Sequence, residues 1–110
     1  MQLLLHICCG PCASATIPWW QARGEKVLGF FHNPNIHPLL EHRRRLTGAR
    51  EVSEVSGIDL AEDTAYDPEA WFATVAGEEG SRCGRCIALR LDRAAAEAVS
   101  QGCDAFSTSL

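Results

Sequence analysis

The sequence predicts an α/β fold in which helices cover both faces of a parallel β-sheet. Short apolar runs that end at glycine, proline or asparagine alternate along the chain with longer segments of helical periodicity. Strands that alternate with helices pair in parallel, because each helix carries the chain back across the sheet. Such sheets bind ligands beyond the carboxyl ends of their strands, near the point where the strand order reverses.

The first half of the chain predicts two strands and two helices. The apolar run "QLLLHI" is the first strand, and "SATIPWWQARG" is the first helix, with Ser14 near its start and Gly24 just beyond its end. The second strand covers residues 26–32 and stops at the turn-forming sequence "NPN". A long helix follows and ends at Gly57. Its apolar positions are Leu39, Leu46, Ala49, Val52 and Val55.

The second half predicts two more strands and two more helices. The stretch "IDLAEDTAY" begins with a short strand, and Asp67 and Pro68 are the cap and the first residue of the next helix. After the loop "GEEGS", the last helix runs from Cys83 and ends at Gly102, before a strand within "CDAFSTSL". Its apolar positions form the clearest amphipathic stripe in the chain: Ile87, Leu91, Ala94, Ala95 and Ala98.

Length and composition predict one small α/β domain over residues 1–110. The hydrophobic and charged fractions, 46% and 22%, are those of a globular protein. No run is long enough to cross a membrane, and the first residues lack the charged leader of a signal peptide, which favours a cytoplasmic location. The net charge of −4 argues against non-specific coating of nucleic acid. The chain stops within an apparent strand, so we expect it to be truncated, the N-terminal part of a longer protein.

Six cysteines carry the functional interpretation. A cytoplasmic chain keeps its thiols reduced, so these cysteines predict metal or redox chemistry and not a disulfide framework. Three of them, Cys8, Cys9 and Cys12, directly follow the first strand. They are therefore predicted to lie where an α/β sheet binds its ligand.

A second pair of cysteines, Cys83 and Cys86, begins the last helix at a spacing of i, i+3. This spacing puts both sulfurs on one face of the first turn, where the helix dipole favours thiolates. With Cys8 and Cys9 they make four thiolates, the number that a structural zinc ion or an iron–sulfur cluster requires. Two rival interpretations stay open: a zinc-binding α/β module without a reaction of its own, and a thioredoxin-like dithiol oxidoreductase that uses Cys83 and Cys86 alone.

Four stretches carry a resemblance to a known family. They are "HICCGPCA" near the N-terminus, "FHNPNIHP" after the second strand, "RCGRC" followed by "ALRLDRAAAEA", and the terminal "DAFSTSL". Together they resemble the QueH family of epoxyqueuosine reductases over nearly the whole chain. The resemblance implies an adenine-nucleotide α-hydrolase-like, Rossmann-like fold. It also implies an oxidoreductase that reduces epoxyqueuosine to queuosine at the wobble position of tRNA.

The resemblance further implies a cofactor. It carries a four-iron four-sulfur (4Fe-4S) cluster onto Cys8, Cys9, Cys83 and Cys86, and Cys12 either adds a ligand to an additional iron ion or faces the sheet. Members of the family continue past the strand that matches "DAFSTSL" and carry a redox-active Cys-x-Cys pair there, which this chain lacks. The catalytic residues and the electron donor are therefore unassigned, and we expect this chain to assemble a cluster but to turn over slowly.

Several other residues are predicted to have structural roles. Cys103, at the start of the last strand, and His6, before the thiols, are expected in the core, His6 with its ring nitrogens satisfied. In each adjacent aromatic pair, one ring is expected to face the core. These pairs are Trp19 with Trp20, Phe30 with Phe31, and Trp71 with Phe72.

The stretch "HRRRLTGAR" has the densest positive charge in the chain. Its arginines, Arg43, Arg44, Arg45 and Arg50, form either a solvated helix face or a contact to tRNA phosphates. Glu41 can pair with Arg45 at i, i+4, which favours the solvated face.

Overall fold

The computed structural model describes the backbone of residues 1–76 and 82–110, and the side chains of these residues except 74–75 and 82–83. The predicted loop "GEEGS" lies outside the described residues. In the part described, no helix has the length and apolarity to cross a membrane. The elements follow in the predicted order: β1 (Gln2–His6), α1 (Gly10–Gln21), β2 (Lys26–His32), α2 (Leu39–Ser56), β3 (Asp59–Asp63), α3 (Pro68–Val75), α4 (Arg82–Ser100) and β4 (Ala105–Thr108).

The strands pair in parallel in the spatial order β3-β2-β1-β4, which confirms the predicted parallel α/β sheet. From β1 the chain moves outward to β2 and β3, and then crosses back to place β4 on the other side of β1. The strand order therefore reverses between β1 and β4. Open α/β sheets bind ligands in the crevice beyond the carboxyl ends at such a point.

Helices cover both faces of the sheet, as predicted. Helices α1 and α2 pack together on one face, around Leu5 and Phe31, and α4 covers the other face, where Ala94 packs near Leu4 and Phe30. Successive side chains of a strand point to opposite faces, so the two adjacent phenylalanines are both buried, one on each side. The prediction that one ring of this pair faces the core is wrong, because a central strand has two buried faces.

Helix α1 begins at Gly10, four residues before the predicted start at Ser14. Cys9 is its N-cap residue with an extended backbone, and proline follows within the first turn, where its missing N–H costs no helical hydrogen bond. Cys9 and Cys12 therefore lie at the N-terminal end of a helix and are presented by its first turn.

The buried face of α4 agrees with the predicted stripe at Ala94 and Ala98 but differs from it in the first half of the helix. Ile87 is 41% exposed, whereas the buried positions are Cys86, Arg90, Ala94 and Ala98. These positions recur every four residues and form one face of the helix. A thiol and a guanidinium therefore take inward positions that a hydrophobicity pattern assigns to their neighbours.

Helix α2 shows the same kind of difference. Leu46 and Ala49 are buried as predicted, but Val55 is 89% exposed, and the polar His42 and Ser53 take the remaining inward positions. The ring of His42 packs edge-on against Phe31 and Tyr66, which makes an imidazole acceptable there. The helix ends at Gly57, as predicted, in the left-handed conformation that glycine adopts most readily.

Helices α1 and α2 meet at two glycines that differ in the space around them. A Cβ atom on Gly10 would lie 2.9 Å from the carbonyl oxygen of Gly48, whereas one on Gly48 would lie 3.5 Å from the backbone nitrogen of Gly10. The first distance is a clash with backbone, and the second is an ordinary contact. Only Gly10 is therefore required by the packing.

We expect Gly10→Ala to lower the free energy of unfolding by about 1–3 kcal/mol, because the added methyl group meets backbone that cannot rotate away. Gly48→Ala is the matched control, since it adds the same methyl group where space exists and improves helix propensity by up to about 1 kcal/mol. Urea unfolding of the two variants measures the difference. Equal losses in both variants would contradict the contact.

Candidate metal centre

Cys8 lies in the crevice between β1 and β4, where the strand order reverses. Its backbone N–H donates to the hydroxyl of Ser109 (3.3 Å), and its sulfur lies 3.6 Å from the same oxygen. The N–H of Ser109 in turn donates to the carbonyl of His6 (2.9 Å). Cys8 is thus buried at a fixed position beyond the carboxyl end of the sheet.

Cys9 and Cys12 complete a group of three thiols. The sulfurs of Cys8 and Cys9 are 3.9 Å apart, those of Cys9 and Cys12 are 3.1 Å apart, and all three lie within 4.8 Å of one another. Two thiolates on one tetrahedral ion, each about 2.3 Å from the metal, are separated by about 3.8 Å. In both donor type and spacing the group is able to hold a metal ion.

The exposure of Cys12 settles one of its two predicted roles. Its side chain is exposed, so it does not face the sheet from the first turn of α1. Cys9 is intermediate and Cys8 is buried, so the three thiols form a gradient from the sheet to the surface. A metal ion held by them is closed on the side of the sheet and open on the side of Cys12.

The pKa values of Cys9 and Cys12 move in opposite directions. Burial raises the pKa of Cys9, but hydrogen bonds from the backbone and thiol of Cys12, then the Cys8 thiol and the charge on Arg45, lower it overall. The hydrogen bond with Cys9, the contact with Cys8 and burial raise the pKa of Cys12 to about 12. Cys9 is therefore the first of the pair to ionise, which prepares it as a metal ligand.

Cys86 is buried near the start of α4, on the face that packs against the sheet. Its carbonyl accepts a hydrogen bond from Nε of Arg90, one turn later (3.3 Å). Burial chiefly, together with the charge on Arg90, lowers the pKa of His6. Because Arg90 acts on His6, this part of α4 lies beside the carboxyl end of β1.

The structure describes three of the four cysteine side chains in the predicted four-sulfur arrangement. The side chain of Cys83 lies outside the described residues. Among those that are described, Cys86 does not belong to the group formed by Cys8, Cys9 and Cys12. The convergence of Cys8, Cys9, Cys83 and Cys86 on one centre therefore stays a prediction.

His6 is a satisfied core histidine, as predicted. Its Nε2 donates to the carbonyl of His32 (2.9 Å), and this leaves Nδ1 to accept a hydrogen bond from the hydroxyl of Thr108 (3.0 Å). With both ring nitrogens in use, His6 has no lone pair for a metal. It ties the carboxyl ends of β1, β2 and β4 together beneath the thiols.

Cys103 packs, partly buried, against the core cluster beneath α4, as predicted. Burial, and then the charges on Asp104 and Glu97, raise its pKa, so it stays a thiol. The prediction for the aromatic pair on α1 is also confirmed: Trp20 packs against the core, and Trp19 is exposed.

Two residues of the site were missed by sequence reasoning. Ser109 contacts both the amide and the sulfur of Cys8, and the side-chain amide of Asn33 donates to the carbonyl of Ile7 (3.0 Å). Both lie in stretches that carry the family resemblance, Asn33 in "FHNPNIHP" and Ser109 in "DAFSTSL", but no role at the site was predicted for either. Their signal is their position just after β4 and β2, at the edge of the sheet where α/β proteins bind ligands.

An open parallel sheet with three clustered thiols at its strand-order reversal defines an α/β protein with a site that is able to hold a metal ion. The sequence model described as epoxyqueuosine reductase QueH matches residues 3–110 of the chain. The chain therefore belongs to the QueH family, which confirms the resemblance carried by the cysteine motifs.

Curated relatives named epoxyqueuosine reductase QueH agree with this assignment. The chain is 38% identical over 109 residues to the protein of Dehalococcoides mccartyi, 37% over 114 residues to that of Acinetobacter baylyi, and 34% over 115 residues to that of Thermotoga maritima. These alignments cover 98–99% of the chain but 60%, 52% and 58% of the three relatives. The chain thus spans somewhat more than half the length of these three relatives.

The opposite pKa directions of Cys9 and Cys12 predict an order of alkylation. In the metal-free protein, we expect iodoacetamide to modify Cys9 before Cys12 as the pH is raised from about 6 to about 9, because the thiolate is the nucleophile. Cys12→Ala removes a thiol hydrogen bond to Cys9 and is expected to move its alkylation to higher pH. Peptide mass mapping measures both profiles, with Cys103→Ala as the control. Modification of Cys12 ahead of Cys9 would show the assignment to be wrong.

The buried histidines predict a loss of stability in mild acid. Burial lowers the pKa of His6 below 6.5, and the pKa values of His32 and His42 are lowered by burial as well. The unfolded chain takes up these protons as the pH falls through about 6.5 while the folded protein resists, so stability present above that pH is lost below it. We expect the free energy of unfolding to decline from about pH 7.5 to about pH 5.5. His6→Gln, which does not titrate, should flatten the decline, and an unchanged pH slope in urea unfolding would contradict this.

Proposed function

We propose that this chain forms the metal-binding part of an epoxyqueuosine reductase, an oxidoreductase that converts epoxyqueuosine in tRNA to queuosine in the cytoplasm. The observation that carries the proposal is the group of three thiols at the strand-order reversal of a chain that belongs to the QueH family. The relatives that bear the name of this activity are longer than the present chain. The activity is therefore proposed for the whole protein to which these residues contribute the metal centre.

The proposed cofactor is a 4Fe-4S cluster bound by Cys8, Cys9, Cys83 and Cys86. The geometry of α4 supports this ligand set. The end of α4 lies at the amino edge of the sheet, where the N–H of Asp104 donates to the carbonyl of Gln2 (2.9 Å). From there α4 rises about 21 Å to Cys86 at 1.5 Å per residue, and the strand rises about 20 Å from Gln2 to Cys8.

The thiol spacing bears on how such a cluster is held. Each cysteine of a 4Fe-4S cluster bonds a different iron atom, so its ligand sulfurs lie farther apart than two sulfurs on one ion. The 3.9 Å between the sulfurs of Cys8 and Cys9 must therefore widen on binding. Cys9 lies at the partly exposed end of α1 and has room for this rotation. Cys12, the exposed thiol, is then available to an additional iron ion.

The reaction requires the delivery of electrons and the removal of oxygen. Conversion of an epoxide to an alkene takes up two electrons and two protons and releases water; a bound cluster supplies the redox step and an open iron site a Lewis acid for the oxygen. The residues of this chain hold the thiolates at a fixed edge, because Cys8 is anchored by Ser109. They also leave the side of Cys12 open to substrate.

The rival interpretations have less support. A structural zinc ion is held by four protein ligands, which leaves the exposed thiol of Cys12 beside the site without a role. A dithiol oxidoreductase built on Cys83 and Cys86 has no use for the three thiols beyond β1. Membership of a family of reductases named for epoxyqueuosine favours neither rival.

Anaerobic reconstitution with iron and sulfide tests the proposed cofactor. We expect a brown protein with charge-transfer absorption and about four iron atoms per chain. Cys8→Ala and Cys86→Ala should each lower the iron and sulfide content, and Cys103→Ala is the matched control that should not. A colourless protein with stoichiometric zinc would support the zinc module. Thiol exchange that survives replacement of Cys8 and Cys9 by serine would support the dithiol oxidoreductase.

Binding of tRNA requires positive charge that is not already neutralised. Arg44 and Arg45 both bind the carboxylate of Glu41, at 3.2 and 3.0 Å, and Arg50 binds Glu62 through two hydrogen bonds of 2.7 and 2.8 Å. These pairs support the solvated-face interpretation for three of the four arginines.

Arg43 is different from the other three. It is exposed and has no ion pair within the described residues. It lines an open groove of about 650 Å³ together with Thr47, Thr64 and Tyr66. Arg45 lies two positions further along, on the other side of α2, and its charge acts on Cys9, so α2 runs past the thiols. We therefore assign the contact with RNA phosphate to Arg43 within the proposed function.

We expect Arg43→Ala to weaken tRNA binding and to reduce the slope of log K against log salt by about one, as the loss of one phosphate contact requires. Arg23→Ala is the control: it removes the same charge at the opposite edge of the sheet, where Arg23 stacks on Trp19 (3.3 Å). Fluorescence anisotropy with labelled tRNA over a salt series measures both slopes. Equal slopes for Arg43→Ala and the unmodified chain would contradict the phosphate contact and support the solvated-face interpretation of α2.

A further inference from the structure

A second recess opens at the carboxyl edge of the sheet, beyond β2 and β3. It is a cavity of about 190 Å³ whose walls come from the loop after β2, the start of α3 and one turn of α4. Its walls include His32, Asp67 and Trp71. None of them belongs to the thiol group.

The cavity adjoins the thiol group through the register of the sheet. His6 on β1 is paired with Phe30 on β2, so the position two residues further along β1, Cys8, is level with His32. Neighbouring strands lie about 4.8 Å apart, so Cys8 just beyond β1 borders His32, which lines the cavity. A group seated in the cavity is therefore one strand away from the candidate metal centre.

One buried polar atom without a hydrogen-bond partner belongs to a wall residue of this recess, Trp71. Seven buried side-chain nitrogen or oxygen atoms among the described residues lack a hydrogen-bond partner, and four of them lie in the loop after β2 or on α3. These four are Asn33 Oδ1, Asn35 Oδ1, His37 Nε2 and Trp71 Nε1. Of these four residues only Trp71 lines the cavity, and each unsatisfied buried group costs about 1–3 kcal/mol.

The same corner is lined with aromatic rings. The ring of His37 lies 5.6 Å from that of Trp71 and stacks on Phe72 at 5.3 Å, and Trp71 and Phe72 meet edge to face at 5.1 Å. Phe72 is 52% exposed and Trp71 is partly buried, so one ring of this pair faces inward, where it packs on His37 of the loop after β2 and outside the two core clusters. An indole face beside a small cavity is a stacking surface for a flat ring.

The remaining wall groups accept hydrogen bonds in known directions. Nδ1 of His32 lies 3.3 Å from the carboxylate of Asp63, which leaves Nε2 for a ligand. One oxygen of Asp67 caps α3 by accepting from the N–H of Ala70 (3.0 Å), and its other oxygen has no partner among the described residues. The cavity thus offers the indole ring of Trp71 and two acceptors at its rim.

We propose that this cavity receives a single nucleobase turned out of an RNA strand, with Trp71 as its stacking surface and Asp67 and His32 as acceptors for N–H groups on the edge of the base. A nucleobase is a flat heteroaromatic ring with donors and acceptors in its plane, which matches the cavity in size, aromaticity and polarity. Enzymes that modify a base remove it from the stack and read it in such a pocket. The identity of the RNA as tRNA rests on the proposed function, whereas binding of the base does not require the cluster.

Two stem–loop RNAs provide the test. One is an anticodon stem–loop with guanine at the wobble position, and the other is the same RNA with an abasic site there. We expect the full chain to bind the first about 5- to 150-fold more tightly, the range that base–aromatic stacking supports. Trp71→Ala should reduce this ratio to near one, and Trp71→Phe should keep most of it because the stacking face remains. Trp19→Ala, an exposed tryptophan at the opposite end of α1, is the control that should leave the ratio unchanged.

Asp67→Asn is a second variant that preserves the fold, since asparagine caps a helix as well as aspartate does. It should weaken binding of the guanine loop and leave binding of the abasic loop unaltered. A ratio of one in the unmodified chain, or a ratio that survives Trp71→Ala, would overturn the proposal. Iron and sulfide loading is measured on the same samples. Loading without base preference refutes the base pocket alone, and base preference without loading refutes the proposed reductase and leaves the pocket standing.

Discussion

The candidate site depends on how the carboxyl end of β1 is held. His6 supplies this constraint, because its buried imidazole donates to the carbonyl of His32 and accepts from the hydroxyl of Thr108, and so joins three neighbouring strands. Asn33 and Ser109, from the ends of the strands on either side, bind the backbone at Ile7 and Cys8. A shift of β1 would break several buried hydrogen bonds at once, each costly to leave unmade. The thiols beyond it are therefore presented from a fixed point.

The order and type of the elements were predictable because strands and helices have different periods in this chain. Which residues of each helix are buried was less predictable. A hydrophobicity stripe selects Ile87 on α4, yet the inward position one residue earlier belongs to Cys86, and the next turn buries Arg90 at 7% exposure. The guanidinium is acceptable there because its Nε bonds the carbonyl of Cys86. Such compensation is invisible to a pattern that ranks residues by apolarity.

The site divides in the same way. Cys8, Cys9 and Cys12 were predictable because they follow a strand directly, and the edge rule for α/β sheets needs nothing more. Ser109 lies 101 residues from Cys8 in sequence, and its contact depends on β4 pairing beside β1 in one register. Local sequence carries no signal for a pairing of that range. The start of α1 was misplaced for a related reason: Ser14 is a common cap, but the extended Cys9 already opens the helix.

The exposure of the thiols bears on the chemistry that this edge can perform. Structural metal sites are closed by their ligands, whereas catalytic sites keep one position open. Here Cys8 is buried against the sheet while Cys12 faces outward, so a metal held between them is anchored on one side and accessible on the other. The cavity beside His32 opens one strand away from the anchored side, and Arg43, which has no ion pair in the part of the chain that the structure describes, lies on α2, the helix whose Arg45 acts on Cys9. The sheet thus determines the position of the thiols and, with it, the position of any metal ion that they hold.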